Sequence, residues 1–301
     1  MNRLTVFLFL FFQGFVLTSQ ALPQRLVIAL DGIAYRDVKS LQEGVTYTNI
    51  WGTVLHREAF TSDEGYFPVG RMISTFPSTS DVAWTDIFGN RPLPGYQRTY
   101  YSVAANAEFS LNGLTSTVEH ERQMDWQAND NFVRSMGYIY SVHTFQYELY
   151  ELSKNFWVST NSTYYIYIRS SDDAQHMDRD VLSMLTFLDD DLQKLRTRYQ
   201  AKEGHDLQIL VLSDHGHNHA GRGQRVMVNP FLEKAGYHVT TSINSPKDVV
   251  LPTSGIEDWI EVHNAPSETE KLAALFTHLK GADLVTARLP DQTNVFLVLN
   301  A

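Results

Sequence analysis

Five residues of this 301-residue chain have the types and spacing to hold metal ions: Asp31, Asp172, His176, Asp214 and His215. Imidazole nitrogen and carboxylate oxygen are the donors of hydrolytic zinc-type sites, which keep a position open for substrate. Asp172 and His176 stand four apart, so one helical turn or a compact loop lets both reach one ion. Asp214 and His215 are adjacent and precede Gly216, which permits a sharp turn where neighbouring side chains converge. Asp31-Gly32 repeats the pattern. A hydroxyl nucleophile is also at hand. In Phe76-Pro77-Ser78-Thr79-Ser80-Asp81, Ser and Thr precede the apolar-periodic run VAWTDIF, the signal of a helix N-terminus. Free N–H groups and the positive dipole end bind phosphate there. A metal ion can deprotonate such a hydroxyl. The chemistry that suits these groups is metal-assisted hydrolysis of a phosphate ester.

Three apolar runs must position them. Arg25 to Leu30 (RLVIAL) reads as a buried parallel strand and stops at Asp31-Gly32. Tyr164 to Ile168 (YYIYI) is a second, ending in RSSDD. Leu207 to Leu212 (LQILVL) is a third, ending in Ser213-Asp214-His215-Gly216. Between the last two, Val181, Met184, Leu185, Leu188, Leu192 and Leu195 form the apolar stripe of a long helix that Gly204 ends. Strand, helix, strand implies a βαβ unit and a parallel sheet. Open parallel sheets bind ligands beyond the carboxyl ends of their strands, where all three runs put Asp. The predicted fold is α/β, a mostly parallel central sheet sandwiched by helices.

Each residue also has an ordinary use. Asp31 can cap a helix, Asp214-His215 can form a turn, and Asp172 and His176 can sit at a solvated helix start. Thr79 and Ser80 both suit an N-cap. Three acidic strand ends, two with His nearby, outweigh these readings. The aromatic stretch from Tyr138 to Trp157 reads as core or a packed insertion, with a pocket lining as the other option. Further on, Val249 to Leu251 and Val295 to Leu299 read as strands and Glu268 to Leu279 as a helix. Ser267 and Glu270 match a capping box. The last strand either closes the sheet or precedes more chain.

LVIALDG (Leu26 to Gly32), FPSTSDVAW (Phe76 to Trp84), SDDAQH (Ser171 to His176) and LSDHG (Leu212 to Gly216) together resemble the alkaline phosphatase superfamily, in its nucleotide pyrophosphatase/phosphodiesterase-like branch. Their order and spread cover most of the chain. The resemblance implies an alkaline-phosphatase-like fold and two divalent ions, zinc, flanking the substrate phosphate. It places Asp31, Asp214, His215 and the nucleophile on one ion, and Asp172 and His176 on the other. It implies a phospho-enzyme on Ser or Thr: alignment on FPST favours Ser80, counting back from Gly89 favours Thr79, and Thr75 is the outside candidate. The family's further His on the second metal is open between His217, His219, His263 and a residue beyond Ala301. That gap motivates the alternative of a non-catalytic relative that binds a ligand or partner at the same cleft. Sulfatase chemistry is disfavoured, since no Pro-x-Arg follows the hydroxyl. Zinc, manganese and iron all accept such donors.

Composition sets the frame. With 43% hydrophobic and 19% charged residues, the chain reads as globular rather than disordered. A formal net charge of -10 disfavours general nucleic-acid binding. With no cysteine, thiolate nucleophiles and Cys-held zinc are excluded. Arg3, the apolar run Val6 to Leu17, and Ser19 and Ala21 at the -3 and -1 positions read as a signal peptide over residues 1–21. The expected catalytic domain spans 22–301, secreted or periplasmic, with no stable membrane span after cleavage. The expected partner is a small phosphate-ester substrate; substrate identity and oligomeric state are not legible.

Overall fold

The computed structural model describes residues 22–48, 52–57, 68–75, 78–92, 99–110, 119–128, 131–177, 179, 181–217, 226–252, 260–289 and 296–300. The signal-like residues 1–21, Phe76, Pro77 and His219 lie outside the described residues. In chain order the elements begin with β1 (Arg25–Leu30), α1 (Tyr35–Glu43), β2 (Val45–Thr48), β3 (Val54–Arg57), α2 (Ser80–Ile87), β4 (Thr99–Ser102) and β5 (Ala107–Ser110). Then come α3 (Glu119–Arg122), β6 (Trp126–Gln127), α4 (Asn131–Phe156), β7 (Thr163–Ile168), α5 (Ser170–His176), α6 (Leu182–Glu203) and β8 (Gln208–Leu212). The rest are α7 (Val228–Lys234), β9 (His238–Thr240), β10 (Asp248–Val250), β11 (His263–Asn264), α8 (Thr269–Phe276), β12 (Leu284–Arg288) and β13 (Phe296–Asn300).

The three apolar runs form one all-parallel sheet in the order β6-β7-β1-β8. The β7-to-β8 connection therefore crosses over β1, as a βαβ unit does when a third strand lies between. Register places Leu30 beside Ile168 and Ala29 beside Leu212. The three strands thus end together, and the residues after them emerge at one edge. That edge is where a parallel sheet binds ligands.

Alternation along β1 explains why both faces are covered. Leu26, Ile28 and Leu30 point into a core with Ile166 and Ile168 of β7, Phe145, Leu149 and Phe156 of α4, and Met184, Leu188 and Leu192 of α6. Ala29 faces the other way, into a small cluster with Trp84 of α2 and Tyr167 of β7. Helices therefore lie on both faces, as the sequence predicts. The α6 stripe buries Met184, Leu185, Leu188, Leu192 and Leu195. Gly204 ends it in the left-handed region at φ +75, returning its N–H to the Gln200 carbonyl.

Three expectations are refined. The aromatic stretch forms α4, whose Phe145, Leu149, Leu152 and Phe156 are core, while Tyr140, Tyr147 and Tyr150 are exposed. Ser267 does not cap the late helix. It lies in a 3-10 turn, Pro266–Glu268, and α8 follows with no side-chain cap. Pro266 at the start of that turn has the fixed φ that sets it. The last strand, β13, pairs antiparallel with β12 and does not close the parallel sheet. Leu232, Tyr237, Val249, Leu272 and Phe276 form a separate cluster among α7, β10 and α8. Among the described residues, no helix is long and apolar enough to cross a membrane.

Candidate metal centre

The shared strand edge gathers all five acidic and imidazole candidates into two groups. Asp31, Asp214 and His215 form one; Asp172, His176 and His217 form the other. Within each group, one ligand atom per residue lies within 4.8 Å of the others. In the first, His215 Nε2 is 3.6 Å from Asp31 Oδ1 and 3.5 Å from Asp214 Oδ2. In the second, the four-residue spacing falls on α5, the helical one of the two placements the sequence allows, and His176 Nε2 is 3.1 Å from Asp172 Oδ2. His217 stands edge-on to His176, with ring centroids 5.2 Å apart.

The electrostatics fit cations. Asp31, Asp172 and Asp214 are all buried. Burial raises the Asp31 carboxyl, and the charge of Asp172 adds to it. Burial likewise holds Asp214 well above the ordinary carboxylate range, with Asp31 the next cause. Burial pushes Asp172 up too, but the hydrogen bond and charge of His176, helped by His215 and His217, hold it below its usual value. Crowded buried carboxylates of this kind are stabilised as anions by a divalent cation. Two carboxylate oxygens of these groups, Asp172 Oδ1 and Asp214 Oδ2, have no hydrogen-bond partner among the described residues. Buried orphans of this sort are costly unless something binds them. The donor set and the orphaned oxygens therefore suit two divalent ions, with His and carboxylate ligands of the zinc type.

Neighbouring residues lock the donors. Tyr167 donates its hydroxyl to Asp31 Oδ2. Gly32 donates its N–H to Asp214 Oδ1 at 3.2 Å, which ties the ends of β1 and β8 together. Ser171 donates to the Asp31 carbonyl at 2.7 Å, and Gln175 donates to the Gly32 carbonyl. Arg36 of α1 donates to the His217 carbonyl and fixes that loop. Two glycines are required by space. Gly32 sits at φ +73, where a Cβ would lie 2.6 Å from Asp172 Oδ1. Gly216 is needed for a different reason than the turn expected from sequence: a Cβ there would lie 2.6 Å from the Cβ of Ala34.

Of the hydroxyl candidates, Ser80 is placed at the first group: its Oγ lies 3.2 Å from both Asp31 Oδ1 and His215 Nε2. It is the first residue of α2, so its hydroxyl stands at that helix's N-terminus beside the first group. Thr79 is the N-cap residue and makes no side-chain capping bond. By sequence the third donor of the second group is open between His217, His219, His263 and a residue beyond Ala301, and geometry brings His217 to it. His263 is elsewhere: its Nε2 is 2.8 Å from Glu261 Oε1 and its ring lies 4.8 Å from Tyr101. Sequence reasoning missed Tyr167, Ser171 and Gln175. A tyrosine inside a buried apolar strand was the available signal, because its hydroxyl needs a partner.

A family model for type I phosphodiesterase / nucleotide pyrophosphatase matches residues 29–294. No curated protein and no solved structure gives a significant match. The match spans all six grouped residues and Ser80, and it agrees with the alkaline-phosphatase-like α/β architecture. The chain belongs to the type I phosphodiesterase / nucleotide pyrophosphatase family.

Proposed function

We propose that this chain hydrolyses small phosphodiesters or phosphomonoesters at a two-metal centre, through a phosphoserine on Ser80. Family membership makes phosphoric-ester hydrolysis the reaction class, and members of the family are typically metal-dependent. The observation that carries the finer reading is the place of Ser80. Its Oγ touches Asp31 and His215 of one group, at the strand edge that also presents Asp172, His176 and His217.

Asp31, Asp214 and His215 would hold one ion, and Asp172, His176 and His217 the other. Bound divalent cations supply charge that favours an ionised hydroxyl and neutralises phosphate oxygens. The chain's own residues do the rest. Ser80 Oγ donates toward Asp31 Oδ1, so its proton has an acceptor in place. The oxygen attacks phosphorus, an Oγ–P bond forms, and the P–O bond to the leaving alcohol breaks. Water then cleaves the Oγ–P bond and frees phosphate or a monoester. Tyr167 keeps Asp31 oriented throughout. The N-terminus of α2 favours the phosphate charge.

The candidacy of His217 supports a catalytic chain over a degenerate binding relative, since the second group then has three donors. A catalytic domain over 22–301, released by cleavage after Ala21 and exported, is part of the same proposal and rests on the sequence features of residues 1–21. Zinc is the proposed metal on donor type.

The test is release of nitrophenol from bis(p-nitrophenyl) phosphate and p-nitrophenyl phosphate, side by side, with zinc and after chelation. Turnover that the chelator removes and zinc restores is expected, and the ratio of rates assigns diester or monoester preference. A folded, zinc-loaded protein that turns over neither substrate contradicts the proposal.

A further inference from the structure

Helix α4 has no role in the chemistry above, yet it grips α5, the helix that carries both Asp172 and His176. Three contacts make the grip. Gly137 lies so close to α5 that a Cβ there would meet Asp173 Oδ2 at 2.0 Å. Tyr138 accepts a hydrogen bond at 3.2 Å from Arg169 Nη2 and lies against His176, with ring centroids 6.3 Å apart. The third contact is Glu148, only 1% exposed. Its Oε1 accepts the Arg169 N–H at 3.3 Å, its Oε2 accepts the Ser170 N–H at 3.4 Å, and Ser170 Oγ also donates to Oε2.

Those N–H groups open α5. A helix leaves its first N–H groups without intrahelical partners, and the N-cap residue Arg169 makes no side-chain capping bond. Glu148 supplies the missing acceptors from another helix. This is a capping interaction in which the carboxylate comes from across the core. Such an arrangement is costly to keep. Burial pushes the Glu148 carboxyl up to about 7, against the hydrogen bonds from Ser170 and Arg169. Apolar residues of similar volume often replace buried charged groups without loss of stability. Simple packing therefore does not account for a carboxylate at this position.

We infer that Glu148 is a positioning residue, which sets the start and axis of α5 so that Asp172 and His176 converge on one ion. The inference rests on the two-metal reading of the site. Partners that hydrogen-bond metal ligands directly typically change metal affinity by roughly 10- to 100-fold when removed. Glu148 acts one step further out, through Arg169 and Ser170, so its effect falls at the lower end of that range. It acts mainly on the Asp172–His176 group: no described contact ties it directly to Asp31, Asp214 or His215, and α5 touches that first group through the Asp31 and Gly32 carbonyls, which accept from Ser171 and Gln175.

The test is zinc titration of the full chain and of Glu148→Ala, Glu148→Gln and Ser170→Ala, with melting temperature measured alongside. Glu148→Ala is expected to weaken one zinc site by about 10-fold and the other by clearly less. The weakened site is the one that His217→Ala also removes. Glu148→Gln, which keeps one acceptor oxygen, is expected to recover part of the loss, and Ser170→Ala to show a smaller loss at the same site. If Glu148→Ala does not fold, the other two variants decide the question. Unchanged zinc affinity at both sites overturns the inference, as does parallel weakening of both with a lowered melting temperature, which marks a merely structural role. A wild-type chain that binds no zinc would instead overturn the two-metal reading itself.

Discussion

Ser80→Ala is expected to lower kcat by roughly 10³-fold or more, while Thr79→Ala changes it by less than about 10-fold. The contrast is large because the two hydroxyls have different jobs. Ser80 Oγ lies 3.2 Å from Asp31 Oδ1 and from His215 Nε2, so removing it deletes the proposed attacking atom. Thr79 sits at the N-cap of α2 without a side-chain capping bond, so its loss costs little helix stability. Steady-state turnover of bis(p-nitrophenyl) phosphate by both variants checks this, with circular dichroism to show that each folds. Full activity in Ser80→Ala would remove it as the nucleophile.

His217→Ala is expected to release one of two bound ions and to lower kcat by more than about 100-fold. Losing a proposed direct ligand is expected to exceed the roughly 10- to 100-fold effects of outer residues. Both ions are needed to stabilise the attacking and leaving oxygens of an in-line displacement. His263→Ala is the control. Its ring packs on Tyr101 and pairs with Glu261, so metal content should not change. Metal analysis of the dialysed variants distinguishes the two. Loss of an ion in His263→Ala, with none lost in His217→Ala, would reverse the assignment.

Much of this centre was legible because its residues lie directly after strong local signals. Asp31, Asp172 and Asp214 follow apolar runs, and parallel pairing of three such runs brings their ends to one edge. The Asp172–His176 spacing was equally local, since i,i+4 neighbours share a helix face. His217 was harder. Its ring reaches His176 across two separate connections, and Arg36 of α1 holds its backbone, which no sequence spacing encodes. Ser80 and Thr79 both read as helix-start residues; only tertiary placement of α2 against β1 separates them. Glu148 was invisible for the same reason: it lies 22 positions from Ser170 and meets it through the packing of α4 on α5. In the C-terminal part, short strands with weak alternation hid the pairing of β12 with β13.

The most direct test of the account is the zinc content of the purified chain after exhaustive dialysis, measured together with phosphodiester turnover of the same sample. Two zinc ions per chain, lost in parallel with activity on chelation and restored with it, is the predicted result. Full turnover from a chain that holds no metal would contradict it.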